Sequence, residues 1–139
     1  MPAKDVLVTI ERYSRQAHSI QPASTLDLAA VVGLLSAIRD EWSTTVEFAT
    51  EKHRLLVSAS EGKFAVFAMV GDDDFYDLVG DQNASGRTEF AHGGQSATWP
   101  KRHCVSLELA QRVVEEFLRA GEIDIRAFDW ERQGGLQLA

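Results

Sequence analysis

Between residues 72 and 81 the chain places five carboxylates, Asp72, Asp73, Asp74, Asp77 and Asp81. Acidic oxygens at this density suit either a hard divalent cation or a basic macromolecular surface. A calcium loop of the EF-hand type that begins at Asp72 needs an oxygen ligand at its fifth position and glycine at its sixth, where Tyr76 and Asp77 stand instead. The spacing leaves an acidic patch in a turn between two strands. The histidines His18, His53, His92 and His103 share no metal-ligand spacing, and His103 and Cys104, as neighbours on an extended backbone, point to opposite faces. No metal and no cofactor is expected. Pairing His92 or His103 with a carboxylate would make an acid–base couple, but no third group can be named to orient it. Phosphate-binding loops, the nucleophile elbow, the dinucleotide fingerprint and the zinc-deaminase signature are absent.

Charge narrows the partners. Residues 1–70 carry seven basic and eight acidic groups and residues 71–139 carry seven basic and thirteen acidic, so the net charge of −7 sits almost wholly in the second half. A field of that sign repels phosphate backbones and attracts cationic surfaces, so a basic protein is the expected partner and nucleic acid is not. Cys104, the single cysteine, forms no intramolecular disulfide and reads as a small buried hydrophobe in a reduced, cytoplasmic setting. The longest apolar runs, 28–35 and 64–70, fall far short of the roughly 20 residues that cross a bilayer, and no signal peptide is expected, so neither is a membrane. Asn83-Ala-Ser85 matches a glycosylation acceptor, which without a secretory route is a coincidence. A chain of 139 residues supports one domain over 1–139, with about 132–139 as a fraying tail.

The elements that must hold these groups follow from periodicity. Val6, Val8 and Ile10 alternate with polar residues as a half-buried strand, and a polar stretch runs from there through Gln21-Pro22. Ser24 or Thr25 can cap a helix whose stripe is Leu28, Val31, Leu35, Ile38 and Trp42, with Gly33 and the alanines permitting close packing. From Thr44 to about Val79 the period changes to two, which predicts an antiparallel meander with a tight hairpin at Glu61-Gly62. Phe64 to Val70 is apolar on both faces, as expected for a central strand covered by a helix. Gly80 to Gly86 is a loop, and Arg87 to His92, with Glu89 in it, is a further strand.

The second helix is predicted from about Ser106 to Ala120. Ser106 is its cap, Glu108 lies in its first turn, Ala110, Val113, Val114, Phe117 and Leu118 form its buried stripe, and Gly121 stops it. Glu108–Arg112 and Glu115–Arg119 are spaced to pair on its outer side. A last strand is expected over Ile123 to Trp130. Trp99 lies among Gly, Gln, Ser and Thr just before Pro100, where little local structure can bury its ring, so it is the candidate aromatic anchor of an interface. The fold class is therefore α+β: a curved, mainly antiparallel sheet of about six to seven strands with two helices packed on it.

From about Phe64 to Glu131 the order is distinctive. A central strand leads to Asp74-Phe-Tyr-Asp77, Gly86 with Phe90 and Gly93-Gly94, Pro100, a helix start at Val105-Ser-Leu-Glu-Leu-Ala110, Val114-Glu-Glu-Phe117-Leu-Arg-Ala-Gly121, and Phe128-Asp-Trp130-Glu131. This order resembles the Imm1 type of bacterial immunity protein, found beside polymorphic toxins, with nucleic-acid deaminase toxins among the partners. The resemblance implies a protein that performs no catalysis and neutralises a cognate protein toxin by covering its active site or substrate groove. It transfers that role and no individual contact residues. The candidate contacts, Asp72, Asp73, Asp74, Asp77, Asp81, Glu89 and Trp99, come from charge and aromatic chemistry alone. The alternative left by residue chemistry is a small-ligand or regulatory module that uses the concave face of the sheet as a pocket.

Overall fold

The computed structural model describes residues 6–13, 18–24, 28–71 and 73–133. In chain order the elements are β1 (Leu7–Tyr13), β2 (His18–Ser24), α1 (Leu28–Ile38), β3 (Ser43–Ala49), β4 (His53–Ser60), β5 (Lys63–Val70), β6 (Asp74–Leu78), β7 (Arg87–His92), β8 (Gln95–Pro100), a 3₁₀ turn (Lys101–His103), α2 (Leu107–Ala120) and β9 (Trp130–Arg132). Seven strands form one sheet in the order β2-β1-β3-β4-β5-β6-β9, and β7 and β8 pair as a separate hairpin. Every pairing is antiparallel. This is the α+β architecture the periodicities predict.

Strand alternation sorts the sheet into two faces. Val8, Ile10, Val46, Phe48, Leu55, Val57, Phe64, Val66, Ala68 and Leu78 are buried, and they share one hydrophobic core with Val31, Leu35 and Ile38 of α1 and with Ala110, Val113, Val114, Phe117 and Leu118 of α2. Each large side chain removed from water here contributes about 1.5–3 kcal/mol. The stripe on α2 is the expected one. Its first turn is closed by the Ser106 hydroxyl, which accepts from the Leu109 N–H at 3.1 Å, and its last by Gly121 at φ 76°, whose N–H donates to the Phe117 carbonyl at 2.7 Å.

The predicted β4–β5 hairpin also forms. Glu61 (φ 49°) and Gly62 (φ 90°) both take positive φ, the requirement of a two-residue turn whose twist matches the strands. Its N–H groups donate to Glu41 and Arg39 carbonyls at 2.8 Å each, which ties the hairpin tip to the link after α1.

Several expectations need correction. The stretch through Gln21-Pro22 is the edge strand β2, where proline is tolerated because its missing N–H is not needed by a neighbour, and a register irregularity falls between Val8 and Ile10 beside it. Ser24 therefore ends a strand, and Thr25 lies outside the described residues. Helix α1 stops at Ile38, so Trp42 belongs to the link that follows rather than to the helical stripe, and nothing approaches Gly33 closely. Arg112 stands over the Phe128 ring at 5.7 Å instead of pairing with Glu108, whereas Arg119 does reach Glu115 at 2.9 Å. The last strand shrinks from the expected Ile123–Trp130 to Trp130–Arg132 because the Asp124 side chain accepts from the Arg126 N–H at 2.9 Å and draws the preceding segment into turns. The segment around Trp99 is itself a strand, β8. As expected, β5 is an inner strand covered by helices, on the face of Phe64, Val66 and Ala68; Phe67 and Met69, pointing the other way, are half-exposed.

Candidate functional site

The sheet face opposite the helices is where polar chemistry gathers, and the β7–β8 hairpin is mounted on part of it. Three serines do the mounting. Ser60 Oγ accepts from the Ala91 N–H at 3.0 Å, Ser43 Oγ accepts from the Gly94 N–H at 3.1 Å, and Ser58 Oγ lies 2.9 Å from His92 Nδ1 and 3.0 Å from the Thr45 hydroxyl. All three are buried, so each hydroxyl satisfies a group that would otherwise be stranded from water. Gly94, at φ 79°, sits so close to the Tyr13 ring that a Cβ there would overlap it. Burial pushes the His92 imidazole below its usual range despite the opposing charge of Glu11, and its ring lies 5.6 Å from that of Trp99. Ser58 and His92 have the spacing of a nucleophile and its base, but Ser58 is only 4% exposed, and the pair serves the hairpin.

Beyond the hairpin the face is open. One transverse row of paired residues crosses the sheet there: Thr9, Glu47, Leu56, Phe67, Asp77 and Glu131. Between its far end and the hairpin lies a cleft of about 260 Å³ lined by Arg87, Thr98, Trp99 and Pro100 on one side and by Asp77, His103 and Gln133 on the other. His103 is buried, with Nε2 3.1 Å from Glu131 Oε1 and Nδ1 4.0 Å from Asp77 Oδ2. Arg102 grips Glu131 through both carboxylate oxygens, at 2.8 and 3.0 Å.

The two carboxylates respond in opposite directions. Hydrogen bonds from Arg102, reinforced by His103 against the effect of burial, pull Glu131 down to about 2. Burial pushes Asp77 up, outweighing the Gln133 amide that donates to it at 3.0 Å and the nearby His103. An imidazole between two carboxylates displaced in opposite senses has the makings of an acid–base group, and Glu131 with Arg102 supplies the orienting partners that sequence alone cannot name. Both ring nitrogens, however, are turned to carboxylates, and the cluster braces the 3₁₀ turn against β6 and β9.

The predicted contact residues do not form one patch. Asp77 and Trp99 meet in the cleft, where Trp99 is half-buried with its ring 5.4 Å from Phe90. Asp73 is exposed at the turn before β6, Asp74 is bonded to Arg132, and Asp72 lies outside the described residues. Asp81 stands past the other end of β6, roughly 17 Å along a five-residue strand, where its carboxylate accepts from the Asn83 N–H at 2.9 Å. Glu89 is exposed on β7 beside a different hollow, lined by Trp42, Glu61 and Lys63. Sequence reasoning missed Arg102, His103 and Glu131 as a group, and the open aromatic pair Phe67 and Phe75, whose rings stack 5.9 Å apart at 14°. The one readable signal was the unbroken apolar run of β5.

Cys104 is half-buried, its thiol pushed up by burial and placed 3.8 Å from the Pro100 carbonyl. Among the described residues no group of three or more His, Cys, Asp or Glu side chains is arranged to hold a metal ion, and no helix is long and apolar enough to cross a membrane. Compared with known proteins, residues 17–131 match the family model described as immunity protein Imm1. No curated protein matches the chain.

Proposed function

The chain belongs to the Imm1 family of immunity proteins, and on that premise we propose that it binds a cognate bacterial toxin acting on nucleic acid, of the deaminase kind, and covers its active site or substrate groove. The family match over 17–131 carries the toxin-neutralising role. Supporting the choice of target is the charge: a toxin that handles nucleic acid needs a cationic groove, and the second half of this chain carries thirteen acidic groups against seven basic ones. Within that half, Asp73, Asp77, Asp81, Glu89 and Trp99 are at least partly accessible contacts, and Asp74 becomes one if Arg132 releases it. Asp72 joins them by sequence position.

The mechanism in this reading is occlusion without turnover, in the cytoplasm of the producing cell. Neutralisation has to precede the toxin's reaction, which calls for nanomolar or tighter affinity and roughly 1,200–2,000 Å² of total buried surface. Acidic side chains set the encounter rate, toward about 10⁸ M⁻¹s⁻¹ at low salt. The test is co-expression with the toxin domain encoded by the neighbouring gene. Cells are expected to survive only with this chain present, and the purified pair is expected to associate more slowly as salt rises. Survival that does not depend on the chain would overturn the reading.

The cleft of about 260 Å³ at Asp77 and Trp99 favours a second reading, a small-ligand or regulatory module. A shift in unfolding temperature with a metabolite, in a chain that binds no toxin domain, would select it.

A further inference from the structure

A sheet face in contact with water alternates apolar-in with polar-out. The open face here breaks that rule at its centre. Leu56, Phe67, Met69 and Phe75 point away from the helices, out of step with the buried Leu55, Val66 and Ala68, and all four are half-exposed. They are also contiguous: Leu56 pairs with Phe67 and Met69 with Phe75, and the two phenylalanine rings stack. The hairpin is bonded to Ser43, Ser58 and Ser60 and leaves this strip uncovered among the described residues.

The charges round the strip are not neutral in effect. Arg54 lies 3.5 Å from Glu47, Arg132 is bonded to Asp74, Arg102 to Glu131, and Arg87 is held on the hairpin by the Thr98 hydroxyl and carbonyl at 2.9 and 2.8 Å. Asp77, directly opposite Phe67, has no arginine or lysine among the described residues within ion-pair distance, and neither does Asp73 at the end of the strip. Arg54, Arg102 and Arg132 are thus engaged by carboxylates, Arg87 is held on the hairpin side of the cleft by neutral groups, and on the strip itself Asp77, with only the His103 ring 4.0 Å away, and Asp73 are the carboxylates without an arginine or lysine partner among the described residues.

We propose that this strip, continuous with the cleft beside Trp99, is the face on which the toxin docks, and that the toxin meets it with an apolar patch edged by lysine or arginine. One such cation enters the cleft between the Trp99 ring and the Asp77 carboxylate. This rests on the toxin-neutralising reading and adds the docking face and the partner's chemistry. Aromatic side chains that a partner buries fully at the centre of an interface, inside a polar rim, carry much of its binding energy, and a cation gains from an aromatic ring and a partly desolvated carboxylate together.

The probe is the toxin domain encoded beside this chain, inactivated and titrated against the full chain. The double variant Phe67→Ser with Phe75→Ser is expected to weaken binding at least 100-fold, and Asp77→Asn to slow association three- to tenfold at low salt and not at high salt. Hydrogen exchange on the unaltered complex, which needs no variant to fold, is expected to show protection over 63–78 and 95–100. Binding by the double variant within threefold of the unaltered chain, or protection confined to α1 and α2, would overturn the docking face. So would a double variant that only disrupts association between copies of this chain. If the unaltered chain itself fails to bind the domain, the toxin-neutralising reading falls, and that outcome is distinct from unaltered binding by the variants.

Discussion

Asp77 and Glu131 are direct partners across the β6–β9 ladder, 54 positions apart in sequence, and the fold drives their carboxyl groups in opposite directions. Their contributions to stability therefore have opposite signs with pH. Glu131 is depressed from its ordinary 4.5 to about 2, so its contribution is fully present above about 4.5 and is lost as pH falls toward 2. Asp77 is raised above its ordinary 3.8, so the folded form binds its proton more tightly, and stability falls as pH climbs from about 3.8 through the raised value. Glu131→Gln is expected to cost about 0.5–1 kcal/mol at pH 7, discounted because the pair is more than a third exposed, and that cost should vanish near pH 2. Asp77→Asn should leave neutral-pH stability unchanged or slightly higher. Urea unfolding of the three proteins between pH 2 and 7 checks both signs, and parallel profiles would refute them.

Gly94 holds the hairpin against Tyr13. A methyl group there meets the ring and the backbone is already at positive φ, so Gly94→Ala is expected to destabilise by roughly 1–3 kcal/mol. Amide exchange should accelerate first in β7 and β8, which distinguishes a loosened hairpin from general unfolding.

The two faces of β5 give a sharper contrast. Phe64 is fully buried against the helices, and Phe67, three positions on, is half-exposed on the other face. Phe64→Ala should cost about 3–5 kcal/mol. Phe67→Ala should cost roughly 1 kcal/mol, because little of its transfer energy is realised in the isolated chain. Equal losses in denaturant titrations would mean that the second face is covered after all.

Ser106→Ala removes the hydroxyl that accepts from Leu109 and leaves an N–H at the start of α2 without that partner. A loss of about 1 kcal/mol is expected. Substitution by Asp should restore most of it, since a carboxylate accepts the same bond and meets the positive end of the helix.

Local chemistry was the legible part of this protein. The cap, stripe and glycine stop of α2 and the turn at Glu61-Gly62 depend on residues within a few positions of one another, and the sequence determined them by itself. So did the alternation along β3 to β6 and the acidic excess of the second half. The family resemblance was visible for the same reason: it rests on the order of such local elements, and it holds over residues 17–131.

Tertiary structure decided the rest, because pairing across strands depends on which distant segments become neighbours. β2 and β8 carry too few alternating apolar residues to announce themselves and exist through the partners they bond. Glu131 reaches Asp77, and Arg102 and His103 reach Glu131, only once β9 is laid against β6 and the chain between them has turned back. The apolar run of β5 looked the same whether both faces were to be covered or one. Two helices on a single side and a hairpin over part of the other left Phe67 and Phe75 half-exposed, since burial is a property of the whole packed sheet and of no one strand in it.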